Sequence, residues 1–405
     1  MTNAPPSTLR RRFFSRLVFH LAALLGAGQA ALAHWVHAVA WSRPPLSGWV
    51  WVGTAVGLGL ANAWIVPWLN QARRRQDRAG RLARFYMEFG VASMFVALAV
   101  AGSWLVYGTA SLVAAPFGVS SEAIWPAFRW LSTAGVFAVA GYLLYGFTWG
   151  QRRVDVSETR FTLRELHPQL AGLRLAQISD LHIGNGLEGR RLERMVERVN
   201  ATEADLVVMT GDIFDFDPRF VEDGARRLGG LRARYGVYAI LGNHDRYVGS
   251  ELVANALATH APEIRLLRDE WVRVPTERPF YLGGIEDRGE YWFGTELRYD
   301  AVANLAASRP DDGAHVLLVH QPELFSQAAD HGFPLVLAGH THGGQIALPV
   351  AGGRVNLARV MSPLTRGRYE VADSTLYVNR GLGVGGPAVR IHCDREIAVH
   401  RLEPA

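Results

Sequence analysis

Five short segments in the second half of the chain place a carboxylate, an imidazole or an amide directly after an apolar, β-branched run. LAQIS leads into Asp180-Leu181-His182, and LVVMT into Gly211-Asp212. VYAIL leads into Gly242-Asn243-His244-Asp245, HVLLV into His320, and PLVLA into Gly339-His340-Thr341-His342-Gly343-Gly344-Gln345. Imidazole and carboxylate donors without thiolates suit Mn²⁺, Fe or Zn²⁺ and not an iron–sulfur cluster. Residues two apart after a strand can aim at one point, so Asp180 with His182 and His340 with His342 form two potential ligand clips. Glycines before Asp212, Asn243 and His340 allow tight turns that a Cβ would obstruct. Two metals about 3.5–4 Å apart can activate water and stabilise the attacking and leaving oxygens of a phosphoryl transfer. Other chemistries are excluded by residue type. All 42 basic residues are Arg, so no lysine is available for a Schiff base or a P-loop, and the single Cys393 excludes an internal disulfide or a cysteine-rich zinc site.

These residues need strands to carry them to one edge. From Val154 the pattern becomes short buried runs alternating with amphipathic helices, which predicts an α/β layered domain. The expected strands are Leu173–Ser179, Asp205–Met209, Gly236–Leu241, Tyr281–Ile285, His315–Val319, Pro334–Ala338, Thr375–Asn379 and Glu396–Leu402. A helix starting near Leu187 should bury Leu192, Met195, Val196 and Val199. In open α/β sheets, ligands bind at the carboxyl ends of the strands, where all five motifs fall.

In order and type, DLH, GD, GNHD, the isolated VH and GHTHGG resemble the motif set of the calcineurin-like metallophosphoesterases, in the bacterial subgroup with amino-terminal membrane helices and a GHTHGGQ motif. The resemblance spans about Val154 to Leu402. It implies a four-layer αββα sandwich, a centre of two divalent transition-metal ions and hydrolysis of phosphoesters. By the same resemblance Asp180, His182 and His342 hold one metal, Asn243, His320 and His340 the second, and Asp212 bridges both. His244 then acts on the phosphate or leaving oxygen, with Asp245 orienting its imidazole.

Other residues have plainer readings. Asp215 and Asp217 read as loop acids, with support of a ligand as the alternative for Asp215. His167, His260, His315, His331, His392 and His400 read as structural or surface residues. Arg246, Arg366 and Arg368 could bind phosphate or simply be solvated. The glycine-rich Gly381–Gly386 resembles a phosphate loop only superficially, because it does not join a strand to a helix of a βαβ unit. Cys393 reads as a packed small hydrophobe.

The first part of the chain is different in kind. Through Arg153 there are 14 basic and 3 acidic residues, a net +11, leaving 28 basic and 34 acidic residues, a net −6, for the remainder. The excess positive charge lies beside apolar runs, which argues against nucleic acid as a partner. Four stretches, Leu17–Trp41, Gly48–Leu69, Phe89–Val113 and Phe128–Trp149, reach the length of about 20 residues that a helix needs to cross a bilayer. Residues 1–16 then form a basic cytoplasmic tail, 17–150 four transmembrane helices and 151–405 the phosphoesterase domain. Arg10, Arg11, Arg12 and Arg16, then Arg73, Arg74, Arg75, Arg78, Arg81 and Arg84, then Arg152 and Arg153 alternate with connections holding only Arg43, or Glu122 with Arg129. The positive-inside rule places both termini and the catalytic domain on the cytoplasmic side of a multi-pass inner-membrane protein. His34 and His37 lie one helical turn apart, but close to the outer end of their span, where interfacial water satisfies them.

A four-helix anchor favours an amphiphilic substrate, and relatives within the resemblance point to a lipid-linked phosphodiester or pyrophosphate such as a UDP-acyl-sugar. A phosphodiesterase acting on soluble substrates is the alternative within enzymes. A membrane sensor or transporter regulated by the phosphoesterase domain is the alternative from another class, weakened by the few ionisable groups in the spans. Oligomeric state is not legible.

Overall fold

A computed structural model describes residues 6–42, 47–72, 78–287, 299–350 and 355–405. It divides into two compact units, Met1–Tyr145 and Gly146–Ala405. The sequence reading placed that division at 150/151. The difference is the last turn of one helix, where the Gly146 carbonyl accepts from the Arg390 amide at 3.2 Å.

The first unit is helical: α1 (Pro6–Trp35), α2 (Gly48–Ala72), α3 (Arg78–Ala114) and α4 (Ser121–Thr148), the last running past the division. From Pro6 the expected basic tail is therefore helical and continuous with the first apolar stretch. Among the described residues, three helical stretches are long and apolar enough to cross a membrane: Gly48–Ile65, Glu88–Phe117 and Ser121–Arg152. Arg43, Arg73, Arg74 and Arg75, used above for orientation, lie outside the described residues. Polar groups inside the unit find one another. Trp35 Nε1 donates to Ser132 Oγ at 2.7 Å, and Asn62 Nδ2 donates to Gln29 Oε1 at 2.9 Å.

The second unit is built on two mixed six-stranded sheets. Its strands are β1 (Val154–Leu163), β2 (Leu173–Ile178), β3 (Leu206–Thr210), β4 (Val237–Ile240), β5 (Ile264–Leu266), β6 (Glu270–Arg273), β7 (Phe280–Gly284), β8 (Ala314–Leu318), β9 (Leu335–Ala338), β10 (Gly367–Val371), β11 (Ser374–Val378) and β12 (Arg395–Pro404). The orders are β1-β12-β2-β3-β4-β5 and β10-β11-β9-β8-β7-β6. Side-chain alternation sets the layers, because successive residues of a strand face opposite sides. Leu206 and Val208 of β3, Val316 and Leu318 of β8 and Leu335 and Leu337 of β9 share one buried cluster between the sheets. Val207 and Met209 instead pack outward with helix residues, including Leu192, Met195, Val196 and Val199 of α5 (Arg190–Asn200) and Val221, Ala225 and Leu228 of α6 (Val221–Leu228). On the other sheet, Leu317, Val319, Val336 and Ala338 face a third cluster that includes Val302, Leu305 and Ala328. Helix, sheet, sheet and helix are thus four layers, and every residue of β3, β4, β8 and β9 is buried. Truncating such a residue, Leu206 for example, removes about 2–5 kcal/mol of stability by transfer and cavity terms.

Two polar ties cross between the sheets where the functional edge begins. Gln177 of β2 donates to the Ala338 carbonyl of β9 at 2.9 Å, and Asn379 donates to the Gln177 carbonyl at 3.2 Å. They fix the carboxyl ends of β2, β9 and β11 relative to one another.

Candidate metal centre

The carboxyl ends of β2, β3, β4, β8 and β9 converge, so the five sequence motifs come from both sheets to one place. Each chain turn there is sharp. Asp180, His182, Asp212, His340 and His342 all have φ between 45° and 71°, in the left-handed region that non-glycine residues avoid. Strain of about 1–3 kcal/mol per such residue persists only where surrounding structure holds it, and it clusters at functional sites. The preceding glycines make room for it. Gly211 has φ 88°, and a Cβ on it would stand 2.5 Å from His320 Nδ1. Gly242 presses on the Asp212 carboxylate and amide so closely that no side chain fits.

Three groups of side chains bring ligand atoms within 4.8 Å of one another: Asp180, His182 and His342; His182, Asp212 and His244; and Asp212, His320 and His340. They overlap at His182 and Asp212, as a double site requires. His182 Nε2 lies 3.0 Å from His342 Nε2 and 3.5 Å from Asp212 Oδ2. His320 Nε2 lies 3.2 Å from both Asp212 Oδ2 and His340 Nδ1. Asp180 Oδ1 is 3.5 Å from His342 Nε2, and both Asp180 oxygens accept from the His340 amide at 3.0 Å.

Protons identify which atoms face inward. His320 Nδ1 is 2.8 Å from the Thr210 carbonyl, which can only accept, so Nδ1 carries the proton and the Nε2 lone pair meets the Asp212 carboxylate. His182 Nδ1 likewise donates to Asp215 Oδ1 at 3.2 Å, turning Nε2 toward Asp212 and His342. Two acceptors at such distances repel unless a proton or a cation lies between them. The side-chain oxygen of Asn243 and Nδ1 of His342 are buried without a hydrogen-bond partner. A buried amide oxygen left unpaired costs about 1–3 kcal/mol, and a metal removes that cost. The donor set of neutral imidazoles, carboxylates and one amide oxygen therefore fits divalent transition metals.

Without metals, the same crowding shifts the titrations. Burial opposes the charged form of His320 and His182, but the Asp212 carboxylate for His320 and Asp215 with Asp212 for His182 outweigh it, raising both. Burial, with His182 close by, holds His342 well below the usual imidazole value. Asp212 resists burial through His320, His244 and His182 and stays well below the usual carboxylate range.

The structure corrects one role. Asp245 was expected to orient the His244 imidazole. Its carboxylate instead accepts from the backbone amides of Gly242, Ile213 and Phe214 at 2.9, 3.1 and 2.8 Å, tying the β3 loop to the start of α7 (Asn243–Val248). Burial and the neighbouring Asp212 push its acid up to about 7 despite those bonds. The carboxylate beside His244 is Asp215, whose Oδ1 lies 2.9 Å from His244 Nδ1 and 3.2 Å from His182 Nδ1. Those two imidazoles hold Asp215 well below the usual carboxylate range although burial works the other way. Asp217 stays in the loop role expected of it and pairs with Arg219.

Other elements enclose the centre. The glycine-rich loop set aside in the sequence lies directly against it: Gly383 N donates to the Asp180 carbonyl at 2.6 Å, and Gly385 stands where a Cβ would lie 3.0 Å from His342 Nε2. Beneath it the fully buried Arg390 donates to the carbonyls of Arg380, Gly381 and Gly383 at 2.7–3.1 Å. Run length and glycine content signalled this loop, but only the fold shows what it presses on. The Phe216 ring lies tilted against that of His244, 4.5 Å between centroids, and stacks on Tyr247 at 5.5 Å, forming an aromatic flank. Cys393 is buried, with Sγ 3.2 Å from the His342 carbonyl, a packed residue as expected. His315 and His400 are buried in structural contacts with Glu165 and Gln177.

Asp215→Ala is expected to weaken metal binding about 10–100-fold, the usual consequence of losing the partner that orients a ligating imidazole. Asp215→Asn should lose less, because one amide oxygen can still accept both Nδ1 protons. Chelator-competition titration measures both, and unchanged affinity in the alanine variant would remove Asp215 from the site.

Residues 173–344 match the family model for calcineurin-like phosphoesterases. A Helicobacter pylori metallophosphoesterase is 31% identical over 272 residues, covering 66% of this chain and 69% of that protein. A Danio rerio transmembrane protein with a metallophosphoesterase domain is 32% identical over 265 residues, covering 63% of this chain and 58% of that protein. A solved Thermus thermophilus protein aligns with 52% of this chain and 90% of its own, at 16% identity and a TM-score of 0.37.

Proposed function

The chain belongs to the calcineurin-like metallophosphoesterases, and on that premise we propose that it is a membrane-anchored, di-metal phosphohydrolase whose substrate is an amphiphilic, lipid-linked phosphodiester or pyrophosphate. One observation carries the hydrolase: Asp180, His182, Asp212, His320, His340 and His342, from two sheets, bring ligand atoms together at one edge, five of the six on strained left-handed backbone. Asp180, His182 and His342 would hold one ion, Asn243, His320 and His340 the other, and Asp212 both. Two such ions would supply activated water and draw charge from the phosphoryl oxygens. Asp212 accepts the His244 amide at 2.8 Å, which sets the ring of that residue beside the centre. Asp215 fixes the ring through Nδ1, so His244 Nε2 is the nitrogen presented to substrate. Arg390 supports the 381–386 loop, whose glycines pack against Asp180 and His342.

Three apolar helices and the zebrafish relative's description support membrane association. A multi-pass arrangement with residues 151–405 on the cytoplasmic side is the orientation favoured by the arginine asymmetry. Loading the purified full chain with Mn²⁺ should give two ions per chain and turnover of an aryl phosphodiester. None or one ion at saturation, with no turnover across Mn²⁺, Fe²⁺ and Zn²⁺, would overturn the hydrolase. In lipid, kcat/KM should favour a lipid-linked substrate over its water-soluble head-group analogue through local concentration. Equal values would leave a hydrolase of soluble diesters.

A further inference from the structure

Between β11 and β12 the chain passes the metal centre once more, and residues 380–393 take hold of one half of it. Consecutive amides of the glycine-rich loop reach the strained Asp180 backbone: Leu382 N donates to the Ser179 carbonyl at 2.9 Å and Gly383 N to the Asp180 carbonyl at 2.6 Å. Asp180 has φ 50°, and on its other side its own amide donates to the Gly211 carbonyl at 3.0 Å, so the loop completes the bonding that holds this conformation. Gly381 lies so close that a Cβ on it would stand 2.8 Å from that of Asp180. The same segment grips His342. Cys393 Sγ donates to the His342 carbonyl at 3.2 Å, and a Cβ on Gly385 would stand 3.0 Å from Nε2 of that ring. Among the described residues, no hydrogen bond from 380–393 reaches Asn243, His320 or His340. His320 takes its orientation from the Thr210 carbonyl instead.

What shapes the loop is Arg390, a fully buried side chain. Its Nη2 donates to the carbonyls of Arg380, Gly381 and Gly383 at 2.8, 3.1 and 2.7 Å, and Nε donates to Gly383 at 3.2 Å. Nη1 donates to the Cys393 carbonyl at 3.1 Å. These acceptors are carbonyls, so the bonds bring no countercharge, and burial pulls the guanidinium below its usual value against the pull of Cys393 and Asp180. A second buried arginine, Arg395, donates to the Leu382 carbonyl and adds like charge nearby. Burying such charge is costly, and well-packed apolar residues would stabilise a core as well or better. A planar fork of five N–H donors, however, can fix several carbonyls in one arrangement, which an ammonium with three rotatable donors cannot.

We propose that Arg390 is a positioning residue for one of the two metal sites: it moulds residues 380–386 against Asp180 and His342, and so sets the affinity of the site they form with His182 and not that of its neighbour. The assignment rests on the two-ion reading above. Arg390 acts through the loop and touches neither ion nor substrate. Because His182 is oriented separately by Asp215, loss of Arg390 should weaken that site without abolishing it.

The test titrates full-length protein with Mn²⁺, followed by elemental analysis and electron paramagnetic resonance, in which two adjacent ions give an exchange-coupled signal and one ion an isolated signal. Arg390→Lys keeps the charge and loses the fork, and Arg390→Gln loses both. Each should bind one ion as wild type does and the other about 10–100-fold more weakly, so the isolated signal persists where wild type is already coupled. Gly385→Ala crowds His342 from the loop and leaves the buried arginine in place, and it should show the same one-sided loss. Far-ultraviolet circular dichroism establishes folding. Equal weakening of both ions in the Arg390 variants would make Arg390 a general support of the fold and overturn the assignment, as would wild-type affinity for both ions. If neither Arg390 variant folds, Gly385→Ala decides: loss confined to one ion upholds positioning by the loop, and any other result overturns it. Fewer than two ions in wild type would overturn the two-ion reading itself, a result seen before any variant is compared.

Discussion

Asp212→Asn is expected to leave the chain with fewer than two metals and to lower kcat/KM at least about 10³-fold, above the range of about 10²–10³ for losing a single transition-state donor. The reason lies in how many demands meet on one carboxylate. Asp212 Oδ2 faces His320 Nε2 at 3.2 Å and His182 Nε2 at 3.5 Å, from opposite sheets, while Oδ1 accepts the His244 amide at 2.8 Å. Asparagine keeps the volume, and its one oxygen can still serve the His244 amide. It then turns an NH₂ group toward two imidazole nitrogens whose lone pairs also point inward, and it removes the negative charge that two cations share. The contrast with Asp215 is the informative part, because Asp215 stands behind the imidazoles and its loss should weaken binding without abolishing it. Elemental analysis of the purified variant, with far-ultraviolet circular dichroism to establish that it folds, checks the result. Two ions per folded chain in the asparagine variant would show that Asp212 does not bridge.

The candidate ligands were legible because each is a local event: an apolar run ends, and a short polar motif begins. Strands β2, β3, β4, β7, β8, β9, β11 and β12 were legible for the same reason. The strands that the pattern did not reveal, β1, β5, β6 and β10, are the four sheet edges. An edge strand carries charge to discourage pairing with other chains, and VDVSETRFTL, EWVR and GRYEV do so, which erases the apolar run that marks a buried strand. The roles of Asp215 and Asp245 were exchanged in part by sequence adjacency. Asp245 follows His244 directly, but both begin a helix, where consecutive side chains do not face each other, so the carboxylate points back to the amides of Gly242, Ile213 and Phe214. Asp215 reaches His244 across 29 positions, a proximity that depends on how the β3 loop turns after the strained Asp212.

His244→Ala is expected to keep both metals while kcat falls about 10²–10⁴-fold, the range for losing a positioned proton donor or acceptor. Its place argues for action on substrate. The ring stands 4.5 Å from that of His182, is bonded through Nδ1 to Asp215, and is flanked at 4.5 Å by Phe216, itself 37% exposed. The interaction His244 makes with Asp212 is through the backbone amide, which alanine retains. A rival role exists for the same side chain, because His182, Asp212 and His244 bring ligand atoms within 4.8 Å of one another and could themselves hold an ion. The two readings part on metal content: a ligand's removal empties a site, and an acid's removal does not. They part again on leaving groups. If His244 protonates the departing oxygen, diesters with highly acidic alcohols need it least, so kcat of the variant should fall more steeply than wild type as the leaving alcohol becomes less acidic. Elemental analysis and a series of substituted aryl phosphodiesters make both measurements on one preparation. A variant that has lost an ion, and is slowed equally for every leaving group, would make His244 a ligand and assign the proton transfer elsewhere.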